Sequence, residues 1–455
     1  MTPLSPSNAV TPDSRPVSGL GWRAILAVSC AFALRYWFIR GGLVDNPMVG
    51  DAVQYCDYAW NLAYHFTFSM APPGSDDIVP DGFRDPGYPL LLAVLLRLFG
   101  SGDDWYHMVL LVQALLGAAS AGLAVLIAGR WLGPNPSLAV GLAVAGWPHN
   151  VAISGFLLSE PLFGFMVLLA LSLLAWAGPS QRPARWAAAG VGFGAAAMVN
   201  GTAVLFGPLL ALFLWKRRAV PIRLLAALLI GSMLLPGAWA IRGLTLQTHD
   251  VAGARVITNL VQGSWADYHK AYIREFFGDP EARQVISAIN GEVAIALSSP
   301  TKWLGVAFAR FARAPVHFLA WYAWKPELLW AWDIRVGVGD VYPYRVFHPI
   351  YAQPAMHLFE FLCIALNPLL FVLMVGAVVI ALVMPGRARV PPVLYAVALL
   401  VAYETLVYTV LQSEPRYSIP FRPLQMMLAV TAVVWVWERR QAVARNRARD
   451  TAVIL

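Results

Sequence analysis

Ten apolar stretches decide what this chain can become. They lie near 22–39, 106–128, 137–153, 157–177, 186–200, 202–215, 222–241, 356–384, 392–411 and 420–437 of a 455-residue sequence. A helix needs about 17 to 25 apolar residues to cross a bilayer, so 186–200 and 202–215 read as short or broken helices. Charged residues make up only 13% of the chain, against about 25% in a water-soluble domain. The expected fold is an all-α polytopic membrane protein with about ten transmembrane helices, within a range of roughly nine to thirteen.

The run "PGYPLLLAVLLRLFG" at 86–100 is shorter and is interrupted by Arg97, so it reads as interfacial or re-entrant. Parity supports that reading. Arg15 and Arg23 place the N-terminus in the cytoplasm and the 40–105 loop outside, where residues 41–85 hold seven Asp and one Arg. Ten alternating spans then put Arg130, Arg182, Arg185, Lys216, Arg217, Arg218, Arg223, Arg387, Arg389 and the tail "ERRQAVARNRAR" inside, as the positive-inside rule requires. Counting 86–100 as a span inverts everything after it. The formal net charge of +8 belongs to these cytoplasmic edges, so no nucleic-acid partner is expected. The expected location is a bacterial inner membrane, with both termini cytoplasmic.

The chain divides into a disordered N-terminus at 1–18, a membrane domain at 20–437 and a basic cytoplasmic tail at 438–455. The membrane domain includes the outer loop 40–105, with juxtamembrane helices, and an outer segment at 242–355. Within that segment, 302–324 reads as a helix along the interface because Arg310 and Arg313 interrupt it. Trp330, Trp332, Tyr342 and Tyr344 suit a headgroup-level belt. No cleavable signal peptide is expected, since no small-residue cleavage site follows the first apolar run. Cys30, Cys56 and Cys363 have no metal-ligand spacing, and neither a disulfide framework nor a zinc site is expected.

The unusual polar residues converge on the outer face. Asp51 lies among aromatics in "GDAVQYCDYAWNL", Arg84 in "GFRDPGYP", Glu160 in "LLSEPLFGF", Arg242 in "PGAWAIRG", and Arg416 with Tyr417 in "SEPRYSIPF". Asp57, Asp76, Asp77 and Asp81 read as solvated loop acids. Glu160 beside Pro161 also suits a helix N-terminus, and Arg416 a snorkelling anchor, but a carboxylate bordering lipid needs a reason to be there. Arginine forks match phosphate oxygens, and a carboxylate can take the proton of an attacking hydroxyl. Two acids and three arginines at a lipid–water boundary therefore suit transfer of a group from a lipid phosphate. Tyr55, Tyr88 and His65 are candidate substrate contacts. A divalent cation is possible at the carboxylates, but no third ligand is evident and no metal-binding residues are assigned.

Five short motifs in order along residues 20–437 carry a resemblance: "GDAVQYCDYAWNL", "R-x-PGYP-LLL", "SEP", "P-x-x-x-x-IR" and "E-x-RY-x-x-P-x-x-P". The chain resembles the GT-C glycosyltransferases, in particular the protein O-mannosyltransferase-like branch that includes lipid A aminoarabinose transferases and rhizobial galacturonosyltransferases. The resemblance implies transfer of a sugar from a polyprenyl-phosphate donor to a glycolipid, polysaccharide or protein acceptor at the periplasmic or extracellular face, with inversion. It implies catalytic acids at Asp51 and Glu160. It implies a donor-phosphate contact at Arg84, and Arg416, Arg242 and Tyr417 on the same face are further candidates for that phosphate. Two positions depart from the pattern: Arg84 stands where aminoarabinose-type relatives often carry Lys, and Asn200 where many carry Arg or Lys. With about 18 residues after the last span, no separate soluble C-terminal domain is expected, so acceptor recognition falls to 242–355 and the outer turns. A transporter or lipid flippase is the alternative reading, disfavoured by the absence of an internal repeat and by charges at one face instead of mid-membrane.

Overall fold

The structure is a computed structural model that describes residues 19–178, 180–246, 252–332, 346–383 and 391–454. The expectations for residues 1–18, Tyr342, Tyr344, Arg387 and Arg389 lie outside the described residues. The chain begins with α1 (Leu20–Gly41), then α2 (Asp51–His65), α3 (Gly87–Phe99), α4 (Asp103–Ala128), α5 (Pro134–Gly146) and α6 (Pro148–Ala152). Next come α7 (Glu160–Ala177), α8 (Pro183–Val199), α9 (Phe206–Lys216) and α10 (Ile222–Leu244). Then follow α11 (Ala252–Gly263), α12 (Tyr268–Phe276), α13 (Pro280–Ser298), α14 (Pro300–Arg313) and α15 (Pro315–Leu329). The chain closes with α16 (Pro354–Val383), α17 (Pro392–Val410) and α18 (Arg422–Ile454). This is an all-α polytopic fold.

Among the described residues, seven helices are long and apolar enough to cross a bilayer: α1, α4, α7, α10, α16, α17 and the helix that spans Pro415–Arg445. The other three apolar stretches are helical but short. Helix α8 has 17 residues, α9 has 11 and α5 has 13. The expected span at 137–153 is broken at Pro148, which pushes Trp147 to an extended ψ of 121° and starts a separate short helix. With 13 residues, α3 reaches only about 20 Å, too short to span. The basic tail continues α18 as helix to Ile454.

Small residues let the helices approach closely. A Cβ on Gly190 would strike the Leu228 carbonyl, and one on Gly231 would strike the Ala187 carbonyl, so α8 and α10 pack backbone to backbone. Leu171, Leu174, Phe193 and Leu228 fill the core around them.

Helices α11–α14 carry two cores of their own. Val261, Ala296, Trp303 and Ala307 form one, and Ala271, Ala282, Ile286 and Ile289 the other. The expected interfacial helix at 302–324 is two helices, because Pro315 breaks the run after Ala314. Arg310 turns inward from it to Glu292 at 3.1 Å and to the Ser264 carbonyl at 3.0 Å. Trp330 corrects another expectation: it is buried, and its indole N–H donates to Thr405 at 3.0 Å instead of standing at headgroup level. Half-buried Trp332 packs on His149 and Trp147. A short antiparallel pair, Leu43–Val44 with Val346–Phe347, ties the outer segment to the first loop.

Candidate active site

Asp51 is the first residue of α2, where the helix dipole favours a carboxylate. Gly50 makes that abrupt start possible with φ 54°, a left-handed conformation that side chains with a Cβ resist. Both Asp51 oxygens are engaged. Oδ1 lies 2.6 Å from Arg84 Nη2, and Oδ2 lies 2.8 Å from Arg416 Nη2. Arg84 Nε donates to Gln54 at 2.6 Å, and its guanidinium sits 5.1 Å from the Tyr55 ring. The next residue, Asp85, accepts the Gly201 N–H at 3.0 Å and pairs with Arg255 of α11. Alternate residues of "RDPGYP" thus face the site and the scaffold.

Glu160 opens α7, with Pro161 in the first turn. Its Oε1 lies 3.0 Å from Arg416 Nε, while its Oε2 is buried without a hydrogen-bond partner among the described residues. Arg416 stands in the tight turn Pro415–Phe421 and is only 6% exposed. One guanidinium therefore bridges two acids from different helices. Tyr55 reaches Ser159 Oγ at 3.3 Å and meets Tyr88 edge to face at 5.0 Å. Tyr88 donates to Gln113 at 2.8 Å, and Gln113 holds the carbonyls of Ser154 and Phe156. This brace sets the approach to Glu160. Tyr417 lies 5.4 Å from the Arg416 guanidinium, stacks on Tyr408 and donates to Gln412 at 2.9 Å.

Residues 81–239, a stretch that includes Arg84, Asp85 and Glu160, match the family described as dolichyl-phosphate-mannose-protein mannosyltransferase. Among solved structures, the oligosaccharyltransferase of Archaeoglobus fulgidus tethered to an acceptor peptide superimposes with a TM-score of 0.51 at 11% identity, covering 93% of this chain and 50% of that one. The same protein in complex with Zn and sulfate gives 0.50 at 12% identity, covering 92% and 49%. The family match covers about a third of the chain, and the likeness to these solved structures is one of fold. The chain spans about half the length of the oligosaccharyltransferase it resembles. ArnT from Cupriavidus metallidurans bound to undecaprenyl phosphate aligns at 15% identity over 89% of this chain and 78% of that one. Its TM-score of 0.38 is too loose to bear on the fold. No curated protein matches the sequence.

The fold gathers Asp51, Arg84, Glu160, Arg416, Tyr55, Tyr88 and Tyr417, but two expected site residues stand elsewhere. Arg242 donates to the Asp81 carbonyl at 2.8 Å and packs on Trp239 and Phe68. It anchors the 66–85 loop. His65 is exposed at the far end of α2, about 21 Å along the helix from Asp51. Asp81, read as a solvated acid, is buried and accepts from Tyr58, Met70 N at 2.7 Å and Phe83 N at 3.1 Å. Asp76 and Asp77 are exposed. Asp57 is half-buried, and burial pushes its carboxyl up to about 6. Asn200 caps the turn after α8 by accepting from Thr202 N at 3.1 Å.

Sequence reasoning missed the α12 side of the site. His269 Nδ1 lies 3.8 Å from Glu414 Oε2, and Tyr268 and Tyr272 are near enough for the Asp51 charge to add to the burial that raises their phenols. Burial pushes Glu414 up to about 8. Burial and the Arg416 and Lys325 charges bring His269 down to about 4. The one available signal was "DYHKAY", with Tyr268 and Tyr272 four apart on one helix face. Among the described residues, no group of three His, Cys, Asp or Glu side chains is placed to hold a metal ion.

Proposed function

We propose that this chain transfers a sugar from a polyprenyl-phosphate-linked donor to an acceptor hydroxyl at the membrane surface, with inversion. The observation that carries the reading is the bridge Arg84–Asp51–Arg416–Glu160, in which each cation that could hold a phosphate is matched to an acid that could act on the sugar. When the donor phosphate takes up the guanidiniums of Arg84 and Arg416, the Asp51 carboxylate loses its two partners and gains basicity. Asp51 then accepts the acceptor's O–H proton as that oxygen bonds to the anomeric carbon. The carbon–oxygen bond to the phosphate breaks, and its electron pair leaves on the polyprenyl phosphate, whose added charge the arginines stabilise. Glu160 Oε2 accepts a hydrogen bond from a sugar hydroxyl, and Tyr55, Tyr88 and Tyr417 line the approach.

The outer face is supported by the course of the helices. Glu160 opens α7 at the site, so Arg182 and Arg185 follow its opposite end, and α8 returns toward Asp85 at Gly201. Lys216 through Arg223 lie at the far ends of α9 and α10. Basic loops on the side away from the site support the reading of a periplasmic or extracellular reaction.

The test is transfer of label from a panel of polyprenyl-phosphate sugars in membranes carrying wild type or Asp51→Asn. Label moving to a new product, lost in the variant at equal protein level, is expected. Retained transfer in Asp51→Asn removes Asp51 as the base. Movement of labelled lipid across vesicles without covalent transfer replaces the enzyme with a transporter.

A further inference from the structure

The bridge of Asp51 accounts for the donor side of the site and leaves the acceptor side open. The residues that border Asp51 there belong to α12 and to the turn before Pro415. His269 Nδ1 stands 3.8 Å from Glu414 Oε2, and its Nε2 is buried without a hydrogen-bond partner among the described residues. The Tyr268 ring lies 5.1 Å from the His269 ring and 6.0 Å from that of Tyr272. Trp265, Tyr268 and Tyr272 pack on the core formed by Ala271, Ala282, Ile286 and Ile289, so α13 supports α12 as a platform. Lys325 fixes the other wall, donating from Nζ to the carbonyls of Gly263 and Leu411.

The chemistry of this wall differs from that of the donor side. Burial raises the Glu414 carboxyl and lowers the His269 imidazole, so it favours the uncharged form of each. Each then both donates and accepts, as the two phenols do. Four groups that give and take hydrogen bonds, set on flat aromatic faces, complement a ring bearing several hydroxyls. An anionic acceptor group finds no unmatched cation among these four side chains.

We infer that α12 and the Glu414 turn form the acceptor subsite, and that the acceptor is a neutral carbohydrate hydroxyl. The inference rests on the transferase reading above and names its second substrate. His269 takes the acceptor hydroxyl neighbouring the one that reacts, and Tyr272 lies against the face of the sugar ring.

The experiment uses full-length chain in membranes, with whichever labelled polyprenyl-phosphate sugar wild type consumes. A neutral hexose oligosaccharide and a serine-containing peptide compete as acceptors. Label is expected on the oligosaccharide. In His269→Ala, and in His269→Gln as a second variant should the first fold poorly, the acceptor KM is expected to rise roughly 5- to 20-fold, more than the donor KM, as one hydrogen bond is lost. Glu414→Gln, which keeps a donor and an acceptor, is affected less than Glu414→Ala. Transfer to the peptide alone, or an acceptor KM untouched by the His269 variants, overturns the inference while the transferase stands. Failure to consume any donor, even with crude envelope extract added, removes the transferase reading and this one with it.

Discussion

Deleting Arg416 alone strands the buried Glu160 carboxylate and takes from Asp51 one of its two arginines, leaving Arg84. Arg416 Nη2 lies 2.8 Å from Asp51 Oδ2 and its Nε 3.0 Å from Glu160 Oε1. At an effective dielectric of about 20, each contact has a gross attraction of roughly 5–6 kcal/mol, most of it offset by the desolvation of the ions. The net worth of the bridge is therefore small, but the cost of breaking it from one side is not. Removing one partner of a buried pair costs about 3–5 kcal/mol, because the charge left behind stays out of water. Arg416→Met should lower the folded-to-unfolded ratio by roughly 10²- to 10⁴-fold. Neutralising the two acids that faced Arg416 in the same chain, with Asp51→Asn and Glu160→Gln, should recover more than half of that loss. Denaturant titration of the purified protein in detergent, comparing wild type, Arg416→Met and the triple variant, reads both steps. Neither variant should transfer sugar, and for the triple variant misfolding would not be the cause. A triple variant no more stable than Arg416→Met would mean that Arg416 acts through packing on Tyr417 and not through charge.

Other perturbations test the scaffold. A Cβ at Gly87 would fall 2.7 Å from Val199 Cγ2 and 2.9 Å from the Met198 carbonyl, so Gly87→Ala should cost about 1–3 kcal/mol by overpacking. Gly21→Ala, with nothing within 4 Å, serves as control, and equal thermal midpoints for the two would reject the close approach. Burial brings Lys325 from 10.5 to about 7. The unfolded chain then binds more protons than the folded one between those values, and Lys325 contributes a stability that rises with pH across that window. Below pH 7 the penalty for burying the charge is complete. Lys325→Met should remove this rise, and an unchanged pH slope of the denaturation midpoint would count against it.

The membrane scaffold was legible because a long apolar run in a bilayer has little choice but helix. Proline placed the breaks that apolarity hid: Pro148 splits the run at 137–153, and Pro315 splits the one at 302–324. The acids and arginines of the site were visible for a related reason, as charges beside lipid are rare and need partners. Their partners were not visible. Asp51 and Arg416 are 365 residues apart in the chain, and no periodicity links them. Asp76, Asp77 and Asp81 look alike in sequence, yet only Asp81 folds inward, because Tyr58 of α2 waits for it. Arg242 resembles Arg84 as a lone cation near an outer helix end, and only the packing of Trp239 and Phe68 directs it to the loop. His269 lies in a polar stretch that reads as an ordinary exposed helix until the Glu414 turn is laid against it.

The charges of the site also set an order of events. Two guanidiniums face two carboxylates across the bridge, so the cations are matched before any donor arrives. A donor phosphate must compete with Asp51 for Arg84 and Arg416, and that competition holds down donor affinity while it readies the base. Asp51→Asn removes the competitor and keeps the side-chain shape, so the two arginines turn to the phosphate at lower cost. The variant should bind polyprenyl phosphate more tightly than wild type, by roughly 10- to 150-fold if one charge-assisted hydrogen bond no longer has to be given up, while its transfer is lost. Titration with polyprenyl phosphate in detergent, read by thermal stabilisation, measures the affinity without turnover. Weaker binding in Asp51→Asn would mean that the carboxylate holds the arginines in place for the phosphate and does not compete with it.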